Sequence, residues 1–140
     1  MKNDNQDFPI EEEVEDHAGR ARRFLITCYE GTLGFTVRAH EQNAHDTGYE
    51  FAAYSETSPY SALGRLRQKM YRGLATRHIA RSPHGYRMLH DTLSGRIASD
   101  GNGGALVIVD GIPLSMDDLD RILISHEGCS FDLKIIDSLE

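Results

Sequence analysis

The feature that most constrains this chain is a change of hydrophobic period at Ser58-Pro59. Before it, apolar residues recur every second position; after it, they recur every third and fourth. Leu33, Phe35, Val37 and Ala39 alternate with Thr36, Arg38 and His40, the pattern of a strand with one face buried and one face wet. Arg23–Glu30 is rich in β-branched and aromatic residues and reads as the strand before it, joined through a tight turn at Gly31. Tyr49–Ser55 reads as a third strand after Gly48, with Tyr49, Phe51 and Ala53 on one face.

At Ser58-Pro59 a hydroxyl able to cap a helix precedes a proline at the first helical position, where its missing N–H costs nothing. Tyr60, Leu63, Leu66, Met70 and Leu74 then form one apolar stripe, predicting a helix to about Ile79. Arg65, Lys69, Arg72 and Thr76 fall on the opposite side and predict a continuous basic face. Gly64 and Gly73 each cost roughly 1 kcal/mol of helix propensity relative to alanine, and close packing on the sheet would explain them.

Beyond the helix, residues 80–86 contain Ser-Pro and His-Gly and read as loop; residues 92–98 read as a strand. Asp100-Gly-Asn-Gly-Gly is a hairpin turn, and Ala105–Val109 is a short apolar strand ended by Asp110-Gly111. Ser115 with Asp118 makes a variant capping box for a second helix, whose stripe is Leu119, Ile122, Leu123 and His126 and whose stop is Gly128. Cys129, Phe131, Leu133 and Ile135 alternate as a last strand. The sequence therefore predicts an α+β fold, an antiparallel β-sheet with two helices packed on one face, in the order β-β-β-α-β-β-α-β. Residues 1–19 read as an acidic mobile tail with a short helix over residues 10–17, and residues 20–140 as a single α+β domain.

Charge is segregated along the chain. Met1–Asp16 carries seven acids against one lysine, Tyr60–Asp100 eight bases against two acids, and Asp110–Glu140 eight acids against two bases. Two readings follow for the basic middle. It meets an anionic partner, a protein's acidic face or nucleic acid, or it faces the chain's own acidic segments or simply water. A net charge of −7 is unusual for a dedicated nucleic-acid binder, whose affinity comes mostly from neutralising phosphates.

Cys28 and Cys129 are far apart and form no paired motif, which predicts free buried thiols in a reducing cytoplasm. The acidic N-terminus lacks the basic-then-apolar plan of an export signal, and no run is long and apolar enough for a membrane span.

From Arg23 onward, Gly48-Tyr49-Glu50-Phe51, the helix positions Lys69, Arg72, Leu74 and His78, Gly95-Arg96-Ile97, Asp110-Gly111, and Glu127-Gly128 leading into Phe131, Leu133 and Asp137 form a pattern. It resembles a bacterial family of uncharacterised domains, described as a domain of unknown function. The order of elements is also similar to antitoxin domains of the HicB type, although the first helix here is longer and more basic. The first resemblance implies no activity.

The chemical motifs are sparse. His40 and His45 flank Glu41 and Asp46, and His84 and His90 lie near Asp91, but none has the spacing of a HExxH zinc site. Residues 101–104 lack the spacing of a phosphate loop, and no serine sits in a nucleophile elbow. The sequence predicts no cofactor and no metal. One candidate function is a non-catalytic interaction or regulatory module that docks an anionic partner through Arg65, Lys69 and Arg72, with Arg77 and His78 at the helix end. The alternative is a small enzyme or small-molecule-binding domain, with a pocket between sheet and helices lined by Tyr49, Glu50, His78 and Glu127. A homodimer built by pairing strand edges is a third possibility.

Overall fold

The computed structural model describes residues 7–42 and 47–139. The chain is α+β, with antiparallel sheets and two helices. In order it forms β1 (Ile10–Glu15), β2 (Ala21–Glu30), β3 (Phe35–Glu41), β4 (Glu50–Ser55), α1 (Pro59–Ala75), β5 (Ile79–Ser82), β6 (Gly85–Met88), β7 (Arg96–Ser99), β8 (Ala105–Val109), β9 (Ile112–Leu114) and α2 (Met116–Ile124). The order read from the sequence recurs as β2, β3, β4, α1, β7, β8 and α2, with β1 before them and β5, β6 and β9 between them.

Where the sequence reads as one domain over 20–140, the chain gathers into two compact units. One holds the described residues within 1–45, 50–76 and 135–140; the other holds those within 46–49 and 77–134. The strands likewise form three sheets rather than one, and each helix packs on a different sheet.

The first unit is a four-stranded meander, β1-β2-β3-β4, with α1 on one face. The ladder register puts Phe24, Ile26, Val37, Ala39 and Ala53 on that face, all buried, because directly opposed residues in an antiparallel pair share a side. Ala62, Leu63, Leu66, Met70 and Leu74 of α1 are buried in the same core. Ser58 caps α1 as expected, accepting from the Tyr60 N–H at 3.0 Å. Tyr60 itself is not part of the buried stripe: its ring is half in solvent, tilted against Phe8, and its hydroxyl donates to Asp7. Gly73 has a packing reason, since a Cβ there would lie 2.6 Å from the Phe51 ring, whereas a Cβ at Gly64 would meet nothing within 4 Å.

Part of the expected N-terminal tail is a strand. Ile10–Glu15 pairs along its whole length with Ala21–Ile26, so neither a mobile segment nor a helix describes residues 10–15. The turn after it is built by Asp16, whose Oδ1 accepts the N–H groups of Ala18 at 2.9 Å and Arg20 at 3.0 Å. The first six residues of the tail lie outside the described residues.

In the second unit, Ile79, Val109, Leu114 and Ile122 form the buried core, flanked by Tyr86, Met88, Leu93, Val107 and Ile112. Residues 80–86, expected as loop, contribute to the β5–β6 hairpin, turned at Pro83-His84. Asp110-Gly111 forms a two-residue turn between β8 and β9 with both residues at positive φ, the geometry Asp-Gly favours. The capping box of α2 is complete: Ser115 Oγ accepts from the Asp118 N–H at 3.0 Å, and Asp118 Oδ2 from the Ser115 N–H at 2.9 Å. Of the expected α2 stripe only Ile122 is buried; Leu123 is exposed, and His126 lies past the helix end. Residues 129–136, expected as the last strand, join no ladder and lie exposed.

Candidate functional site

Arg65 and Lys69 of α1 reach β4, an edge strand of the four-stranded sheet. An edge strand presents backbone groups that no neighbouring strand pairs. Arg65 Nη1 donates to the Tyr54 carbonyl at 2.9 Å, and Lys69 Nζ to the Ala52 carbonyl at 2.8 Å. Residues 65 and 69, one helical turn apart, therefore reach carbonyls two residues apart on the edge strand. Lys69 also donates to the Ser138 carbonyl at 3.2 Å, tying the C-terminal segment to the helix.

Around these contacts lies a recess of about 310 Å³, lined by Ala53, Arg65, Gln68, Lys69, Arg72 and Leu139. Arg65 and Arg72 are exposed and Lys69 is half-buried. The sequence expectation of an outward basic face is thus modified: Arg65 and Lys69 turn toward the strand edge, while the Arg72 guanidinium has no hydrogen-bond or ion-pair partner among the described residues. Three cations on one open recess make a site of positive potential, suited to carboxylate or phosphate groups.

Arg67, on the same helix, has a different role. Its Nη2 lies 2.8 Å from Glu12 Oε1 and its Nε 3.0 Å from the same oxygen, so an acid of β1 faces this base directly. The chain's acidic N-terminal region therefore answers part of the basic helix through Arg67.

Arg77 and His78, placed by sequence at the helix end, belong to the second unit. Arg77 Nε donates to the Ile79 carbonyl at 3.1 Å. His78 is paired with Asp110: Nδ1 lies 2.8 Å from Oδ1, while Oδ2 accepts the N–H groups of His78 at 2.8 Å and Ile79 at 3.0 Å. The Asp110 side chain is only 4% exposed, so these bonds are what make a carboxylate tolerable there. Of the residues assigned to the alternative pocket, Tyr49, His78 and Glu127 fall in the second unit and Glu50 in the first; the acid that meets His78 is Asp110.

A second charge cluster holds the β1–β2 turn. Arg22 Nε lies 3.0 Å from Asp16 Oδ2, and its Nη1 3.0 Å from Glu41 Oε2. Burial alone would raise the Asp16 carboxyl, but the Ala18 and Arg20 N–H groups and the Arg22 guanidinium outweigh it and hold the group below the usual range. Arg22 is likewise held above its ordinary value, burial being outweighed by Glu41 and Asp16. These groups are structural, and neither pairing was read from the sequence. The Asp16–Arg22 spacing across a turn was the available signal, hidden by the expectation of a mobile tail.

Both cysteines are free thiols, Cys28 half-buried and Cys129 exposed, which corrects the expectation that both are buried. Burial pushes the Cys28 thiol up, with Glu30 adding to the effect. No cluster of three or more histidine, cysteine or carboxylate side chains suited to a metal ion occurs among the described residues; His45 and Asp46 lie outside them. No helix is long and apolar enough to cross a membrane.

No curated protein and no solved structure matches the chain. Two family models do, and they divide it between α1 and β5: residues 6–75 match domain of unknown function DUF7686, and residues 78–140 match domain of unknown function DUF7713. Half of the chain lies within the first match, so the protein belongs to the DUF7686 family of domains of unknown function, followed by a region that matches DUF7713.

Proposed function

We propose that this protein is a non-catalytic interaction module that docks an acidic protein segment in the recess formed by Arg65, Lys69 and Arg72. The observation that carries this reading is their convergence, with Gln68, on one open recess in which the Arg72 guanidinium has no partner among the described residues. Arg65 and Lys69 are held in place by strand-edge carbonyls, so little side-chain entropy remains to be lost on binding. A carboxylate reaching Arg72 would form the charge-assisted bonds that the protein itself does not supply. Leu139 adds an apolar wall, which suits a peptide with both acidic and apolar side chains.

An acidic protein segment is preferred to nucleic acid because the chain carries a net charge of −7, and an unbroken phosphate backbone is repelled more strongly at long range than a short segment with a few carboxylates. The reading places the protein in the cytoplasm, where both thiols stay reduced. Arg77 and His78 are not contacts in this proposal; each is committed to the second unit by the bonds described above.

Calorimetric titration with a glutamate-rich peptide tests it. Wild type is expected to bind, and the Arg65→Glu, Arg72→Glu double variant to lose binding at least tenfold. Equal binding by both proteins, or tighter binding of a single-stranded oligonucleotide than of the peptide, contradicts the proposal.

A further inference from the structure

Residues 129–136 have a strand's sequence and no sheet. Phe131 is 86% exposed, Leu133 75% and Ile135 70%, a row of large apolar side chains that a folded monomer rarely leaves bare. They alternate with Asp132 and Lys134, so an extended backbone puts Phe131, Leu133 and Ile135 on one face and the two charges, followed by Ile136, on the other.

The segment matches itself. Laid antiparallel against a second copy about Leu133, Phe131 faces Ile135, Leu133 faces Leu133, and Asp132 faces Lys134 twice over. Moving the register by two residues puts Asp132 opposite Asp132, or Lys134 opposite Lys134. Moving it by one sets apolar residues against charged ones. A single register satisfies both faces, and it is one in which residue i meets j and j meets i, the condition for a closed two-fold interface.

Two of the other strand edges, β4 and β9, are poor partners for this strand. On the β4 edge the Ala52 and Tyr54 carbonyls are already taken by Lys69 and Arg65, and β9 carries Pro113. The second unit also exposes Met116, Leu123 and Ile124 on α2, apolar surface available for covering in an assembly.

We infer that the protein forms a homodimer through an antiparallel pair of these segments, centred on Leu133 with Asp132 opposite Lys134 of the second copy. The inference stands independently of the docking recess.

Sedimentation velocity across a concentration series tests it with charge exchanges, which leave exposed positions exposed. Wild type is expected to sediment as a dimer whose fraction grows with concentration. Asp132→Lys and Lys134→Asp each turn two attractive pairs into two repulsive ones and should weaken dimerisation about tenfold. Mixing these two variants in equal amounts restores attraction on both sides, as does combining the changes in one chain, so both are expected to recover the dimer. A wild type that stays monomeric at every concentration overturns the inference. So do single variants that dimerise as well as wild type, or a mixture that fails to recover.

Discussion

Lys69 reaches from α1 to the open edge of the sheet, where its ammonium donates to the Ala52 carbonyl at 2.8 Å. With Arg65 on Tyr54 it occupies acceptors that an incoming strand would otherwise use. The same two side chains also wall the proposed docking recess, so edge protection and the proposed anion recognition would share residues.

Lys69→Met keeps the apolar stem and removes the donor. It leaves the Ala52 carbonyl without this bond, with an expected cost of about 1 kcal/mol in urea unfolding. It should also increase light scattering on storage, because the edge is uncovered. Unchanged stability and unchanged scattering would show that the contact is incidental.

The two helical glycines should respond in opposite directions. Gly64→Ala meets open space and is expected to stabilise by about 0.5–1 kcal/mol through helix propensity. Gly73→Ala places a methyl 2.6 Å from the Phe51 ring and should destabilise despite the same propensity gain. Thermal unfolding of the pair decides it; equal gains at both sites would mean that Phe51 moves aside freely.

Acid unfolding should register Asp16. Its carboxyl is held below its unfolded value, so its contribution is fully present above the unfolded pKa and is lost as pH falls through the folded one. Asp16→Asn is therefore expected to lower stability at neutral pH and to flatten the decline of stability below about pH 4. Urea titrations from neutral to acid pH measure both; parallel curves for the two proteins would contradict the assignment.

Asp110 fixes the start of β5 to the β8–β9 turn. Asp110→Ala leaves the His78 and Ile79 N–H groups without their acceptor and puts alanine at a φ of 55°. The expected loss is about 2–4 kcal/mol, concentrated in the second unit. Hydrogen exchange should then show faster exchange at Val109, Ile112 and Ile79 while β2 and β3 stay protected. Uniform loss across both units would mean that they unfold together.

Sequence patterning was most informative where one physical cause acted alone. Leu33–His40 alternates because one face packs on α1 and the other meets water, although Leu33 itself falls in the turn and the strand begins at Phe35. Ser58-Pro59 and Ser115–Asp118 were readable because capping is local. β1 was missed because Glu12 stands on its inner face between Ile10 and Val14, where it is met by Arg67, 55 residues away. For residues 129–136 the alternation is real, but a ladder needs a second strand, and alternation carries no information about where that strand comes from. The three cations of the site were legible from helical spacing, whereas their attachment to strand-edge carbonyls required the crossing of α1 over β4.

The central claim is that Arg65, Lys69 and Arg72 bind an acidic segment electrostatically. Its most direct test is the salt dependence of glutamate-rich peptide binding to wild type and to Arg72→Gln. Affinity should fall steeply and linearly in log Kd against log salt for wild type, with a shallower slope and weaker binding for the variant. Affinity that is flat across the salt range, or identical slopes and affinities for the two proteins, would contradict it.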